Sequence, residues 1–248
     1  MRGAPLERRG LGDREMNFDQ WPFDISSDPR EVPRYAVSEV ALYLHLPETT
    51  LRSWLSGRTF PKASGVGTSP PLIDPADGEG SVISFYNLSE AHILKWTRQR
   101  DEVPMKAIRD ALDYVATEFP SKHPLITQQF LTDGRFLFIK KLEELINASK
   151  MGQLGNELLL NLERIDRDTM GMPVAVYPEI PRKPNSKAIA IRYGVSSGAP
   201  VINGTGILVS VIWGRYEAGD TTSDLAQDYD LPVETLEDAL AYLESEAA

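Results

Sequence analysis

The feature that most constrains this chain is a helix–Leu-Pro–helix spelling that occurs twice. At the front, Ser38 can cap a helix whose first turn holds Glu39 and whose apolar face is Val40, Ala41 and Leu44. His45-Leu46-Pro47 ends that helix, because proline disfavours the α conformation in the residue before it. Pro47 also suits the first position of a new helix, running through Glu48, Leu51, Trp54 and Leu55 to a stop at Gly57. Two short helices across a tight turn make a helix-turn-helix. The end of the chain repeats the pattern 185 residues on: Glu39 falls on Asp224, Ala41 on Ala226, Leu46 on Leu231, Pro47 on Pro232, Thr50 on Thr235, Leu51 on Leu236 and Leu55 on Leu240. The matched residues are packing and turn positions. The outer faces diverge, with Glu237 and Asp238 standing where the front unit has Arg52 and Ser53.

Four segments follow from the composition. Residues 1–34, rich in Arg, Asp and Pro, read as a flexible arm, with Asn17 to Ile25 the first stretch that has anything to bury and Met16 an alternative start. Residues 35–119 read as a winged helix-turn-helix: loop material from 59 to 81, a short return strand from Ser81 to Phe85, a helix opening at Asn87-Leu88-Ser89-Glu90, and another after Pro104 with Ile108, Leu112 and Val115 on one face. Residues 120–186 are a hairpin-helix middle region and linker. Gln128 to Leu131 and Phe136 to Ile139 are the hairpin arms about an Asp133-Gly134 turn, Leu142 to Ala148 and Glu157 to Ile165 are helical, Pro173 to Tyr177 is a strand, and Pro178 to Pro184 is a linker. Residues 187–248 form a small module with strands at Ala188 to Ile191 and Ile207 to Ile212 ahead of the second helix-turn-helix. The fold class expected is mainly α with small β elements, α+β overall.

Charge decides what the two units can touch. The net charge is −10, and residues 187–248 alone carry 3 basic and 10 acidic side chains, a net of −7. The front helix presents Thr49, Arg52 and Ser53, with Arg58 and Lys62 just beyond. Arginine and hydroxyl side chains bond phosphates and base edges, so these five are the DNA-binding candidates, Arg52 first among them. Asp220, Asp224, Asp228, Glu237 and Asp238 would repel a phosphate backbone and suit a partner with a basic surface.

Other chemistry is missing from the sequence. There is no cysteine, which removes disulfides, thiolate metal sites and cysteine nucleophiles, and three His give no metal-ligand spacing. No phosphate loop, nucleophile elbow or facing carboxylate pair is spelled, so neither an enzyme nor a cofactor or metal is expected. No run of about 18 apolar residues and no apolar leader core occurs, which predicts no membrane partner and a cytoplasmic location. Trp54 and Trp96 read as core anchors. One short helix-turn-helix on an acidic chain binds weakly alone, so a homodimer is expected, with half-sites about 34–36 Å apart and Phe136 to Ile139 near the seam.

Two stretches resemble known families. Tyr35-Ala36-Val37-Ser38-Glu39-Val40-Ala41, followed by Thr50-Leu51-Arg52-Ser53-Trp54, resembles the start of MerR-like winged helix-turn-helix domains, and Phe85 to Thr97 resembles the helix after their wing. Arg192-Tyr193-Gly194 and the run Gly198-Ala199-Pro200-Val201-Ile202-Asn203-Gly204-Thr205-Gly206-Ile207 resemble a small antitoxin-associated domain of unknown function. So do Ala218-Gly219-Asp220, Leu225-Ala226, Asp228-Tyr229 and Glu237-Asp238-Ala239. The two in this order resemble the larger VapB-type antitoxins of type II toxin–antitoxin systems. That resemblance implies a PIN-domain ribonuclease toxin as partner, neutralised in a toxin–antitoxin hetero-oligomer, and operator DNA bound to repress the shared operon. A stand-alone MerR-like transcription regulator with a C-terminal ligand-binding or dimerisation region stays open at this point, as does a protein–protein adaptor.

Overall fold

A computed structural model describes residues 28–244 apart from 63–64, 96–103, 128–129, 131–133, 147–157 and 182. Trp96, Asp133 and residues 1–27 of the arm lie outside that set. The last residues of the arm are docked. Pro29–Glu31 form a 3-10 turn, and Arg30 reaches Asp28 at 2.6 Å and Asp168 at 2.7 Å. Bonds from Arg30 hold the Asp28 carboxyl down to about 2.

The front unit opens with β1 (Tyr35–Ala36), followed by α1 (Val37–Tyr43) and α2 (Glu48–Ser56). The first helix starts one residue before Ser38. Ala36 is the extended cap residue, and the Glu39 carboxylate accepts from its N–H at 2.8 Å. Two strands then lie within the stretch read as loop. β2 (Arg58–Lys62) and β3 (Gly65–Ser69) pair antiparallel from Arg58 with Ser69 to Lys62 with Gly65. This ribbon, and not the stretch after it, is the wing. The strand expected near 81–85 is β4 (Val82–Ile83), and its partner is β1. The ribbon escaped the pattern because it carries little buried apolar surface: Val66 is 78% exposed, and the strands pair along their backbones. Pro61 is tolerated because each strand of a two-stranded ribbon is an edge.

Among the described residues, three longer helices and a short helical stretch at 158–162 complete the front half. α3 (Phe85–Lys95) is buried on all sides. α4 (Met105–Glu118) buries Ala107, Ile108, Ala111, Leu112 and Val115 as one stripe. α5 (Arg135–Ile146) replaces the second arm of the expected hairpin. Phe138 and Leu142, one helical turn apart, are both buried, at 1% and 0% exposure. Phe138 is therefore covered by its own chain and needs no second copy. A run of four apolar residues fits either period, and only the following Leu142 breaks the tie.

The back half is built on one antiparallel sheet of order β5–β6–β7–β8, comprising β5 (Ile165–Arg167), β6 (Pro173–Val176), β7 (Ile189–Arg192) and β8 (Pro200–Ile202). The boundary drawn between residues 186 and 187 thus falls inside a sheet, and Ile165 opens a strand where a helix was expected. Residues 209–212, read as strand, belong to α6 (Val209–Glu217). The chain ends in α7 (Thr222–Tyr229) and α8 (Val233–Glu244), the second helix-turn-helix. The repeat extends to the backbone. His45 has φ 51° and Asp230, its counterpart 185 residues on, has φ 52°. Each is the left-handed residue of its turn.

Arg164, just before β5, holds the connection between β6 and β7. Its guanidinium donates to the carbonyls of Tyr177 at 2.8 Å, Pro178 at 2.7 Å, Pro184 at 2.7 Å and Ser186 at 2.8 Å. Hydrogen bonds to charged groups contribute about 1.5–3 kcal/mol each, and a carbonyl left buried and unpaired costs about as much. Arg164→Leu is expected to lower unfolding stability by about 3 kcal/mol or more, read as a shift of the urea midpoint.

A half-buried histidine, His45, and a buried one, His92, predict a pH dependence. Burial, with help from the Lys95 charge, holds His45 down to about 4 and His92 to about 3, against an ordinary 6.5. Such groups bind protons first in the unfolded chain. Their contribution is intact above pH 6.5 and declines as pH falls toward 4. Buried Glu90 is pushed up and acts in the opposite sense. The urea midpoint of His92→Leu should therefore change less than that of the parent chain between pH 7 and pH 5.

Candidate nucleic-acid interface

The outer face of α2, the wing and the start of α4 enclose a groove of about 840 Å³. Gly57 makes the corner possible. It ends α2 at φ 75°, and a Cβ there would strike the Ser69 carbonyl oxygen and lie 3.1 Å from the carbonyl carbon of Pro70. The chain leaving the wing is then pinned to α2, because the N–H groups of Leu72 and Ile73 both donate to the Trp54 carbonyl, at 2.7 and 3.1 Å. The Trp54 ring is buried beneath, as a core anchor.

Thr49, Ser53 and Arg58 line this groove together. Thr49 and Arg58 are exposed, and the Ser53 hydroxyl donates to the Thr50 carbonyl at 2.7 Å. Arg52 is exposed too, but it is not one of the residues that line the groove. Its guanidinium holds the Glu48 carboxylate, Nη2 to Oε1 at 2.6 Å, one turn back on the same helix. Lys62 ends β2, on the ribbon itself.

Two cations were not found from sequence. Lys106 and Arg109, one turn apart on α4, line the groove from the opposite wall. Arg109 donates to the carbonyls of Pro70 and Pro71, so it ties the base of the wing to α4. Lys106 is 84% exposed and pairs with Asp110 at 2.6 Å. Their spacing of three put them on one face, but nothing local said that this face would meet α2.

The five carboxylates of the back module are differently placed. Asp220 and Asp228 both grip Arg215 at 2.6 Å. Asp224 closes a capping box with Thr221, whose hydroxyl lies 2.6 Å away. Glu237 is exposed on α8. Asp238, read as a surface contact, is buried at 5% exposure. It accepts from the Ser186 hydroxyl at 2.6 Å and lies 2.5 Å from the Lys183 ammonium. Among the described residues no group of three or more His, Asp or Glu comes together as metal ligands would, and no helix is long and apolar enough to cross a membrane.

Known proteins match both ends of this arrangement. Residues 33–112 match a family model described as "Putative DNA-binding HTH domain", and residues 189–243 match "Protein of unknown function (DUF433)". The chain is 28% identical over 228 residues to "Putative antitoxin VapB45" of Mycobacterium tuberculosis, spanning 85% of this chain and 93% of that protein. It is 25% identical over 222 residues to the uncharacterized protein Rv2308 of the same organism, spanning 86% and 90%. The crystal structure of Rv2018, also from Mycobacterium tuberculosis, superposes with a TM-score of 0.61 at 23% identity, over 84% of this chain and 98% of that one, a likeness of fold. The resemblance to VapB-type antitoxins read from the sequence therefore holds along 85% of the chain, with a helix-turn-helix match at the front and the DUF433 match at the back.

Proposed function

We propose that this chain is the DNA-binding antitoxin of a type II toxin–antitoxin pair, which neutralises a PIN-domain ribonuclease and represses its own operon. The observation that carries the DNA half is the groove, where Thr49, Ser53 and Arg58 meet Lys106 and Arg109 across α2, the wing and α4. A MerR-like docking would lay α2 in the major groove and leave the wing and α4 cations to the phosphates. A homodimer would double these contacts on two half-sites.

Each phosphate neutralised contributes about 0.9 to the slope of log affinity against log salt. Arg58→Ala and Lys106→Ala are each expected to weaken binding to the duplex upstream of the gene and to reduce that slope by about 1. Arg52 must release Glu48 before it can bond DNA. Arg52→Ala is therefore expected to weaken binding several-fold, and Glu48→Gln to strengthen it. Mobility-shift titrations over a salt series check all four variants. Unchanged affinity in every one would remove the groove from DNA binding.

The toxin half rests on the relative named as an antitoxin and on the acidity of the back module. Asp238 is internal, so the contact is assigned to Glu237, with Asp220, Asp224 and Asp228 at its edge. Truncation before residue 187 would remove β7 and β8 from the shared sheet and is no clean test. Charge reversal at exposed Glu237 is cleaner. Glu237→Lys should slow association with the co-expressed toxin and flatten the salt dependence of that rate, as rim charges do. An unchanged rate in stopped-flow mixing would move toxin binding elsewhere on the chain.

A further inference from the structure

The seven-residue helix α1 packs against α2 and is too short to be stable by itself. Both of its ends are held by the back module. Just before its N-terminus, the Tyr35 side chain runs beneath Gly198 in the loop between β7 and β8. Gly198 has φ +81°, and a Cβ there would overlap the Tyr35 hydroxyl and sit 2.8 Å from its Cζ. Only glycine lets the loop backbone come this close to the Tyr35 ring. Beside it, Tyr193 packs between Phe85, 6.0 Å from ring to ring, and the Arg34 guanidinium, 5.7 Å from its ring centroid.

At the other end, the Tyr242 hydroxyl of α8 donates to the carbonyl of Tyr43, the last residue of α1, at 2.8 Å. This satisfies one of the carbonyls that a helix C-terminus leaves unpaired. The Tyr242 ring is wholly buried and lies against His45, 4.7 Å between centroids. His45 is the left-handed residue of the turn into α2. One module, from positions 44 residues apart in sequence (198 and 242), thus grips both the entry to α1 and its exit.

We propose that the back module is a built-in clamp that positions the DNA reader, with Tyr242 and Gly198 acting through α1 as positioning residues for α2. The proposal rests on the reading of α2 as the DNA-contacting helix. Its expected signature is selective. Bidentate base contacts depend on angle and distance, whereas phosphate attraction tolerates small displacements. Loosening α1 should therefore reduce discrimination between DNA sequences more than it reduces attraction to DNA as such.

The test uses the full chain with Tyr242→Phe, which keeps the ring on His45 and removes only the hydroxyl bond. Affinities are measured at one salt concentration for the duplex upstream of the gene and for a random duplex of equal length, and amide exchange is followed across residues 37–46. The expected result is a loss of about 2- to 10-fold for the upstream duplex, the span of one net hydrogen bond. The random duplex should bind as before, and exchange should quicken within 37–46. Gly198→Ala should act in the same direction from the other end. Where that variant does not fold, Tyr242→Phe decides. Unchanged exchange in 37–46 overturns the clamp whatever the DNA result. Faster exchange with undiminished discrimination overturns its positioning role. If the parent chain does not distinguish the two duplexes, the DNA-binding reading is what has failed, and the exchange result decides the clamp alone.

Discussion

The back half depends on one guanidinium. The connection between β6 and β7 contains Pro178, Pro181 and Pro184, none of which can donate a backbone hydrogen bond. A chain so poor in donors cannot satisfy its own carbonyls when it is drawn into the protein. Arg164 supplies the missing donors from a single buried side chain, and its rigid fork reaches both ends of the connection. With that loop fixed, β7 can lie beside β6, and the sheet joins sequence segments that composition separated. Ile191 then packs into the front core, while Ile189 packs into the back one.

Legibility in the sequence followed the range of the interactions. The two helix-turn-helix units could be read because their turns are local. Pro47 and Pro232 mark the breaks, and Leu51 and Leu236, equivalent in the repeat, are both fully buried. Even the left-handed residues His45 and Asp230 fall in register. Short apolar runs were ambiguous, and Phe136 to Ile139 and Ile207 to Ile212 were both read as strands where the chain forms α5 and α6. The wing was illegible for the opposite reason, since its strands pair along their backbones and carry no apolar alternation in the sequence.

The candidate site divides along the same line. Thr49, Ser53 and Arg58 belong to the local unit and could be picked out from it. Lys106 and Arg109 lie about fifty residues further on, and only the tertiary fold brings them opposite. The charge count was right for the back module but silent on where each charge is used. Arg215 draws in Asp220 and Asp228, and a capping box takes Asp224, before any partner arrives.

The duplicated units show how one scaffold acquires two uses. Ser53 and Asp238 occupy the same position in the repeat. In the front unit that position lines an open groove, and its hydroxyl bonds only the helix that carries it. In the back unit the same position is turned inward, where Asp238 binds Ser186 and Lys183. Those two residues sit at the end of the loop that Arg164 holds, so the helix that would read DNA in the first unit is fastened to the sheet in the second. For a phosphate to approach α8 there, it would meet exposed Glu234 and Glu237 and compete with Asp238 for Lys183. Charge and burial thus act in the same sense. The second unit keeps the turn and the packing of the first, and its outer helix serves as an anchor.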